Sequence, residues 1–175
     1  MTMTPSLRKF ALTAHVTSSV GWLGAVASFL ALAVAGLTSQ DALTVRAAYL
    51  AMDMITGFVI VPLSLASLLT GLVQSLGTAW GLFRHYWILA KLLLTILATL
   101  ILLLHTRPIS YMAEVAAETT LASVDHGKLR IQLVADAGAA LAVLLVTTFL
   151  SVYKPRGMTR YGRRLQREQR TVPVP

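Results

Sequence analysis

Two ionisable residues of this chain lie inside long apolar stretches, where their side chains could carry out chemistry. His15 lies within residues 13–24, and Lys91 lies within residues 85–94. Stretches this long and apolar are typical of membrane spans, in which a His or Lys is costly unless it is paired, hydrated or coordinated. Trp22 lies seven residues after His15 and therefore shares its face of a helix. The three residues form a candidate cofactor-binding site.

His15 and Lys91 are predicted to lie at similar depth, since each is about five residues into its span from the same side. An imidazole beside an ammonium is not a salt bridge, so a shared anionic or metal-bearing ligand would explain their proximity. A structural interpretation stands beside this one. Lys91 could extend its ammonium to the headgroups, while a neutral His15 forms a hydrogen bond with a carbonyl or with a hydroxyl such as that of Thr95.

A second set of polar residues lies toward the opposite membrane face. Its members are carboxylates and imidazoles near the ends of spans: Asp53, Asp136, His105 and His126. Ion pairs between helices, with Arg107 or Arg130 as partners, are one interpretation. A metal or substrate site is the other, because imidazole and carboxylate suit zinc or copper. The spacing matches no recognised metal motif, and the sequence identifies no catalytic residue.

Four apolar segments position these residues, and each is close to the ~20 residues that a helix needs to cross the hydrocarbon core. They cover about 10–37, 47–76, 86–104 and 131–153. The predicted fold class is all-α: a polytopic membrane protein whose four transmembrane helices form one bundle over residues 1–153. Pro62 lies inside the second span and is expected to kink it without ending it.

Small residues form a band on each of the first two spans, which predicts close helix–helix contact. The members are Ala14, Ser18, Gly21, Ala25 and Ser28 on the first span, and Gly57, Ser64, Ser67 and Gly71 on the second. The contact could lie within the bundle or between chains. A homodimer or a partner membrane subunit is therefore compatible with the sequence.

The composition excludes an ordinary soluble domain. Hydrophobic residues make up 56% of the chain and charged residues 13%, against about 25% charged in soluble domains. The mean hydropathy is +0.71. Because the chain has no cysteine, disulfides, thiolate metal sites and cysteine nucleophiles are excluded.

Positive charge is distributed unequally between the two ends of the spans, which predicts that both termini are cytoplasmic in a multi-pass protein of the plasma membrane. One side carries ten Lys and Arg residues and the other carries four. The ten are Arg8, Lys9, Arg84, Lys154, Arg156, Arg160, Arg163, Arg164, Arg167 and Arg170, and the four are Arg46, Arg107, Lys128 and Arg130.

Two segments lie outside the predicted spans. In the external loop 105–130, apolar residues recur at helical spacing and predict a short amphipathic helix on the outer surface. These residues are Ile109, Met112, Val115 and Ala116. The basic tail, 154–175, has almost no apolar content, so we expect it to be disordered and to contact anionic lipid. A nucleic-acid partner is not expected.

The first and third spans carry motifs that resemble small membrane proteins of the CopD-like and HemJ-like groups. The first span has His15 followed by Trp-Leu-Gly at 22–24, and the third has Trp-x-x-x-Lys-Leu-Leu-Leu at 87–94 and ends in His105. The whole chain also resembles actinobacterial four-helix membrane proteins with a similar Tyr-Lys-Pro-Arg-Gly junction at 153–157.

This resemblance implies particular chemistry at the first site. HemJ-type proteins are linked to haem biosynthesis as protoporphyrinogen oxidases that bind haem b, and CopD-like proteins are associated with copper handling. By the resemblance, His15 would be an axial haem ligand. Lys91 would be a second ligand or a partner of a propionate.

Three functions are compatible with the sequence. The first is a membrane protein that binds haem b, or a copper or zinc ion, through His15 and Lys91 and acts in redox or haem and metal handling. The second is a small transporter that uses Asp53, Asp136 and the outer histidines. The third is a non-enzymatic accessory subunit without a cofactor. Whether the protein is an enzyme stays open.

Overall fold

The computed structural model describes residues 3–77, 82–118, 127–155 and 157–171. Every regular element within these residues is helical. The elements in chain order are α1 (Pro5–Thr38), α2 (Ala42–Ile55), a π-helix (Thr56–Ile60), α3 (Val61–Gly77), α4 (Tyr86–Ala117), α5 (Gly127–Tyr153) and α6 (Arg160–Thr171). Four segments are long and apolar enough to cross a membrane: α1, the continuous helix Ala42–Gly77, α4 and α5. The chain is a multi-pass membrane protein.

The first two helices begin at residues that satisfy their free N–H groups. Thr4 caps α1, and Pro5 occupies the first helical position, where its missing N–H costs nothing. The Asp41 carboxylate caps α2 by accepting hydrogen bonds from the Thr44 hydroxyl and from the N–H groups of Thr44 and Leu43. These bonds lower the pKa of Asp41, and the bond from the Thr44 hydroxyl has the largest effect.

We expect the Asp41 cap to make a pH-dependent contribution to stability. Asp41→Ala should lower the thermal midpoint in detergent, whereas Asp41→Asn, which also caps helices well, should retain most of it. Because the folded-state pKa lies below that of the unfolded chain, the charged cap contributes fully above the unfolded pKa. Its contribution is lost as the pH falls through the folded pKa. Melting of wild type and Asp41→Ala across acidic pH checks this, and a difference that stays constant would contradict it.

The second membrane segment changes helical register in its middle. Val61 N–H donates to the carbonyl of Thr56, five residues earlier, at the end of the π-helix. Pro62 follows at once and has no N–H to donate, so a widened turn before it adapts the hydrogen-bond pattern. The sequence predicted a kink at Pro62, and the structure has a π-helix there with a helix that continues on both sides.

The third membrane helix, α4, is longer than the sequence predicted, because it continues through Pro108 to Ala117. The expected external loop 105–130 is therefore helical over much of its length, and residues 119–126 lie outside the described residues. The predicted surface helix is instead the last part of α4. Its apolar residues Ile109, Met112 and Ala116 are buried, because they pack in one cluster with α2 rather than lying on the membrane surface.

The basic tail contains a helix, α6, where disorder was expected. Thr159 explains the difference because it binds both to the bundle and to the helix. Its N–H donates to the carbonyl of Arg84 at 3.0 Å, and its hydroxyl donates to the carbonyl of Phe83. The same hydroxyl oxygen accepts from Gly162 N–H at 3.0 Å, which caps α6. Long-range contacts thus hold a segment whose composition alone indicates no fold.

The four membrane segments pack as a bundle in chain order. α1 packs against the second segment and α5, and α4 packs against the same two neighbours. Therefore α1 and α4 lie diagonally across the bundle and run in the same direction. Large apolar side chains cover the outside, as lipid requires, and include Phe10, Val20, Phe58, Leu69 and Leu104.

Candidate functional site

His15 is held from one side by the backbone of α3. The side chain is buried, and its Nδ1 lies 3.1 Å from the carbonyl oxygen of Ser67 and 3.1 Å from the hydroxyl oxygen of Thr70. A carbonyl can only accept, so Nδ1 carries a hydrogen and donates it. The Thr70 hydroxyl donates to the carbonyl of Ala66 at 2.6 Å, which leaves an oxygen lone pair to accept from His15.

The opposite nitrogen of His15 faces Lys91. With Nδ1 protonated, a neutral imidazole has its lone pair on Nε2, and Lys91 Nζ donates to that atom at 3.3 Å. The two side chains meet across the diagonal of the bundle. Thr95, which the sequence offered as a partner of His15, instead donates its hydroxyl to the carbonyl of Lys91 at 2.8 Å.

Small residues allow α3 to approach His15 closely. A Cβ added at Gly71 would lie 3.0 Å from His15 Cε1 and 3.5 Å from Nδ1. Beside it, the hydroxyl oxygens of Ser19 and Ser67 are 2.8 Å apart. Part of the predicted band of small residues therefore lies at the contact between α1 and α3, where the Ser67 carbonyl meets the imidazole of His15. Sequence reasoning missed Thr70 and the Ser67 carbonyl, although both adjoin that band.

Lys91 has an unusual environment for a cation. Its side chain is partly buried, and it forms no salt bridge with a carboxylate in the described part of the chain. The contact with His15 joins two basic groups. The two nitrogens therefore lie together without a neutralising carboxylate among the described residues.

Trp22, the third member of the predicted site, lies farther along α1 than His15. Its side chain is 3% exposed, and the indole Nε1–H has no hydrogen-bond partner among the described residues. The ring lines a cavity in the centre of the bundle, whose lining does not include His15 or Lys91. The structure thus separates Trp22 from the His15–Lys91 contact.

The outer candidate residues do not form one cluster. His105 Nε2 lies 3.0 Å from Asp136 Oδ2, whereas Asp53 accepts a hydrogen bond from the Ser110 hydroxyl at 2.6 Å. His126 lies outside the described residues. Within the described ranges, no group of three or more His, Asp or Glu side chains could hold a metal ion. The predicted four-residue metal site is therefore not assembled by the residues that the structure describes.

His105 and Asp136 form a contact between two helices, with Nε2 and Oδ2 3.0 Å apart. His105 Nδ1 lies 2.8 Å from the carbonyl of Ile101 and donates to it. Nε2 also lies 3.5 Å from the side-chain nitrogen of Gln132 on α5. The pair joins α4 to α5, and the Ser110–Asp53 bond joins α4 to α2. Both contacts join helices, but within the described residues neither carboxylate pairs with Arg107 or Arg130, the partners expected from the sequence.

Comparison of this chain with protein-family models, with curated proteins and with solved structures gives no match. The likeness to the CopD-like and HemJ-like groups therefore depends on the motifs quoted above and stays an expectation.

Proposed function

We propose that this membrane protein uses His15 and Lys91 as a pair of nitrogen donors for a bound group, and that it acts in redox or haem and metal handling. The group would be haem b, or alternatively a copper or zinc ion. One observation carries the proposal: the Nδ1–H of His15 donates to the carbonyl of Ser67, which leaves Nε2 directed at a second nitrogen. Histidines that bind metals are oriented in this way, with the other ring N–H donated to a carbonyl or carboxylate.

The spacing of the two nitrogens supports such a group. Nitrogen ligands bind metals at about 2.0–2.1 Å, so two nitrogens that hold one metal lie within about 4 Å of each other. The Nε2 and Nζ atoms are 3.3 Å apart, and the flexible stem of a lysine can take up the difference. A bound haem iron or copper would supply one-electron chemistry, and zinc would supply a Lewis acid.

The remaining residues of the site have positioning roles. The Ser67 carbonyl and the Thr70 oxygen hold the ring nitrogen, and Gly71 leaves space for the ring. Because His15 is buried, water has little access to its Nε2 and does not compete strongly for the lone pair. Lys91 supplies the second donor once its amine is deprotonated.

We also propose that both termini are cytoplasmic and that the protein lies in the plasma membrane. The unequal count of Lys and Arg supports this orientation. Two hydrogen bonds that join three basic segments at one end of the bundle also support it. Met3 N–H donates to the carbonyl of Gly77, and Thr159 N–H donates to the carbonyl of Arg84. In this orientation the arginines of α6 would contact anionic headgroups.

Cysteine labelling tests the orientation, because the chain has no cysteine of its own. An impermeant maleimide should label Gln40→Cys in intact cells and should label Ser6→Cys only after the membrane is opened. Both residues are exposed. The reverse pattern would contradict the orientation.

The absorption spectrum of protein purified from haem- and metal-replete cells, with elemental analysis of the same sample, tests the function. We expect a Soret band or bound copper or zinc in the wild type, and roughly tenfold or greater loss in His15→Ala. His85→Ala is the matched control because His85 immediately precedes α4 and lies beside Trp87, outside the site. Wild-type protein with neither haem nor bound metal would overturn the proposal.

A further inference from the structure

A cavity of about 210 Å³ lies at the centre of the bundle, between α1, the π-helix, α4 and α5. Most of its wall is apolar, with Val26, Phe29, Leu102, Leu133 and Leu144 among the lining residues. The alanine side chains of α5 that line the cavity are too small to fill it. An apolar cavity of about 150 Å³ stays dry and accepts a molecule the size of benzene. This cavity therefore has room for a substituted six-membered ring.

Polar side chains occur at three places in the lining, and at one of them the Thr56 hydroxyl already donates to the carbonyl of Met52. Trp22 contributes an indole whose Nε1–H is buried and has no partner among the described residues. A buried donor without an acceptor is costly, and a ligand acceptor would remove that cost. Elsewhere the lining includes His105 and Asp136, whose Nε2 and Oδ2 atoms are 3.0 Å apart.

Trp22 and His105 are separated along the bundle axis. Trp22 lies seven residues beyond His15, and His105 lies fourteen residues beyond Lys91. His15 and Lys91 are in contact, and their helices run in the same direction, so the levels of Trp22 and His105 differ by about 10 Å at 1.5 Å per residue. A ligand that reaches both residues must therefore lie along the bundle axis.

The cavity reaches the apolar outer surface of the bundle. Three of its lining residues are exposed there, Leu97 and Ile101 on α4 and Ala139 on α5. An entering ligand would pass between these helices from the hydrocarbon of the membrane. The π-helix contributes Thr56 and Ile60 to the opposite wall, and such helices often occur at functional sites.

We propose that this cavity binds the head ring of a lipid-soluble quinone. The ring is flat and apolar, and its carbonyls at opposite ends of the ring are acceptors. One carbonyl accepts from Trp22 Nε1–H, and the other lies at the end of the cavity that His105 and Asp136 line. The isoprenoid tail leaves between α4 and α5. This site is separate from the His15–Lys91 contact and does not depend on the function proposed there.

Tryptophan fluorescence provides the test, with Trp80→Phe and Trp87→Phe combined so that Trp22 is the remaining tryptophan. Duroquinone, added to protein in detergent, should quench Trp22 saturably. Ala140→Leu, which fills the cavity, should abolish saturation. Ala142→Leu is the matched control, since Ala142 is exposed on the same helix and does not line the cavity. Quenching that never saturates, or that is equal in the two variants, overturns the proposal.

A second ligand tests the role of the carbonyls. Hexamethylbenzene has nearly the same shape as duroquinone but no acceptor. We expect wild-type protein to bind duroquinone about three- to tenfold more tightly, as one hydrogen bond implies, measured by the rise in thermal midpoint with each ligand. Trp22→Phe should remove most of that preference. Equal binding of the two ligands to wild type would show an apolar cavity without quinone recognition.

Discussion

Gly71→Ala is expected to lower the haem or metal content of the purified protein by roughly tenfold or more, as loss of a ligand-orienting contact does. The new Cβ would lie 3.0 Å from His15 Cε1 and 3.5 Å from Nδ1. The imidazole cannot retreat without loosening its hydrogen bond to the carbonyl of Ser67. The substitution adds one methyl group on a helix and removes no donor atom, so its effect reports on the position of His15 alone.

Gly24→Ala is the matched control for this prediction. It makes the same change on α1, at a position where an added Cβ would meet nothing within 4 Å. Alanine favours helix more than glycine does, so this variant should be as stable as wild type and should keep its bound group. Equal occupancy in Gly71→Ala and Gly24→Ala would contradict the described geometry of His15.

Gly36→Ala is expected to destabilise the bundle by about 1–3 kcal/mol, as overpacking of a core does. The added Cβ would lie 2.9 Å from Cζ of Tyr49 and 3.1 Å from its hydroxyl oxygen. Tyr49 is 1% exposed, and the guanidinium of Arg130 lies 5.8 Å from the centroid of its ring. The ring therefore has little space into which it can move.

Thermal midpoints in detergent check this prediction against Gly24→Ala. The Tyr49 hydroxyl has no hydrogen-bond partner among the described residues, so Tyr49→Phe removes a crowded atom without losing such a bond. Combining Tyr49→Phe with Gly36→Ala should restore part of the lost stability. A Gly36→Ala midpoint equal to that of Gly24→Ala would show that the α1–α2 contact is looser than described.

Hydropathy located the four membrane segments, but it did not locate the end of the third. His105, Arg107 and Pro108 interrupt the apolar run, so a hydropathy criterion ends the span before them. The helix continues because Ile109 and Met112 find buried partners on α2, which is a matter of packing that a single segment cannot reveal. The same limit applies to α6, because the Thr159 contacts with residues 83 and 84 are distant in sequence.

For the candidate site, depth in the membrane was the useful signal. Counting residues from the charged ends placed His15 and Lys91 at one level, and their side chains are in contact. The partners of His15 could not be found this way. Which carbonyl of α3 faces the imidazole depends on helical register, and the π-helix changes that register shortly before Ser67.

The most direct measurement of the central claim is the nitrogen chemical shift of His15. Replacement of His85, His105 and His126 by Gln leaves one histidine for ¹⁵N spectroscopy in detergent or lipid. We predict a protonated Nδ1 and an unprotonated Nε2 whose shift changes in Lys91→Met, because the lone pair of Nε2 faces Lys91 Nζ. A protonated Nε2, or an Nε2 shift that Lys91→Met leaves unchanged, would contradict a His15 whose Nε2 lone pair is directed at Lys91.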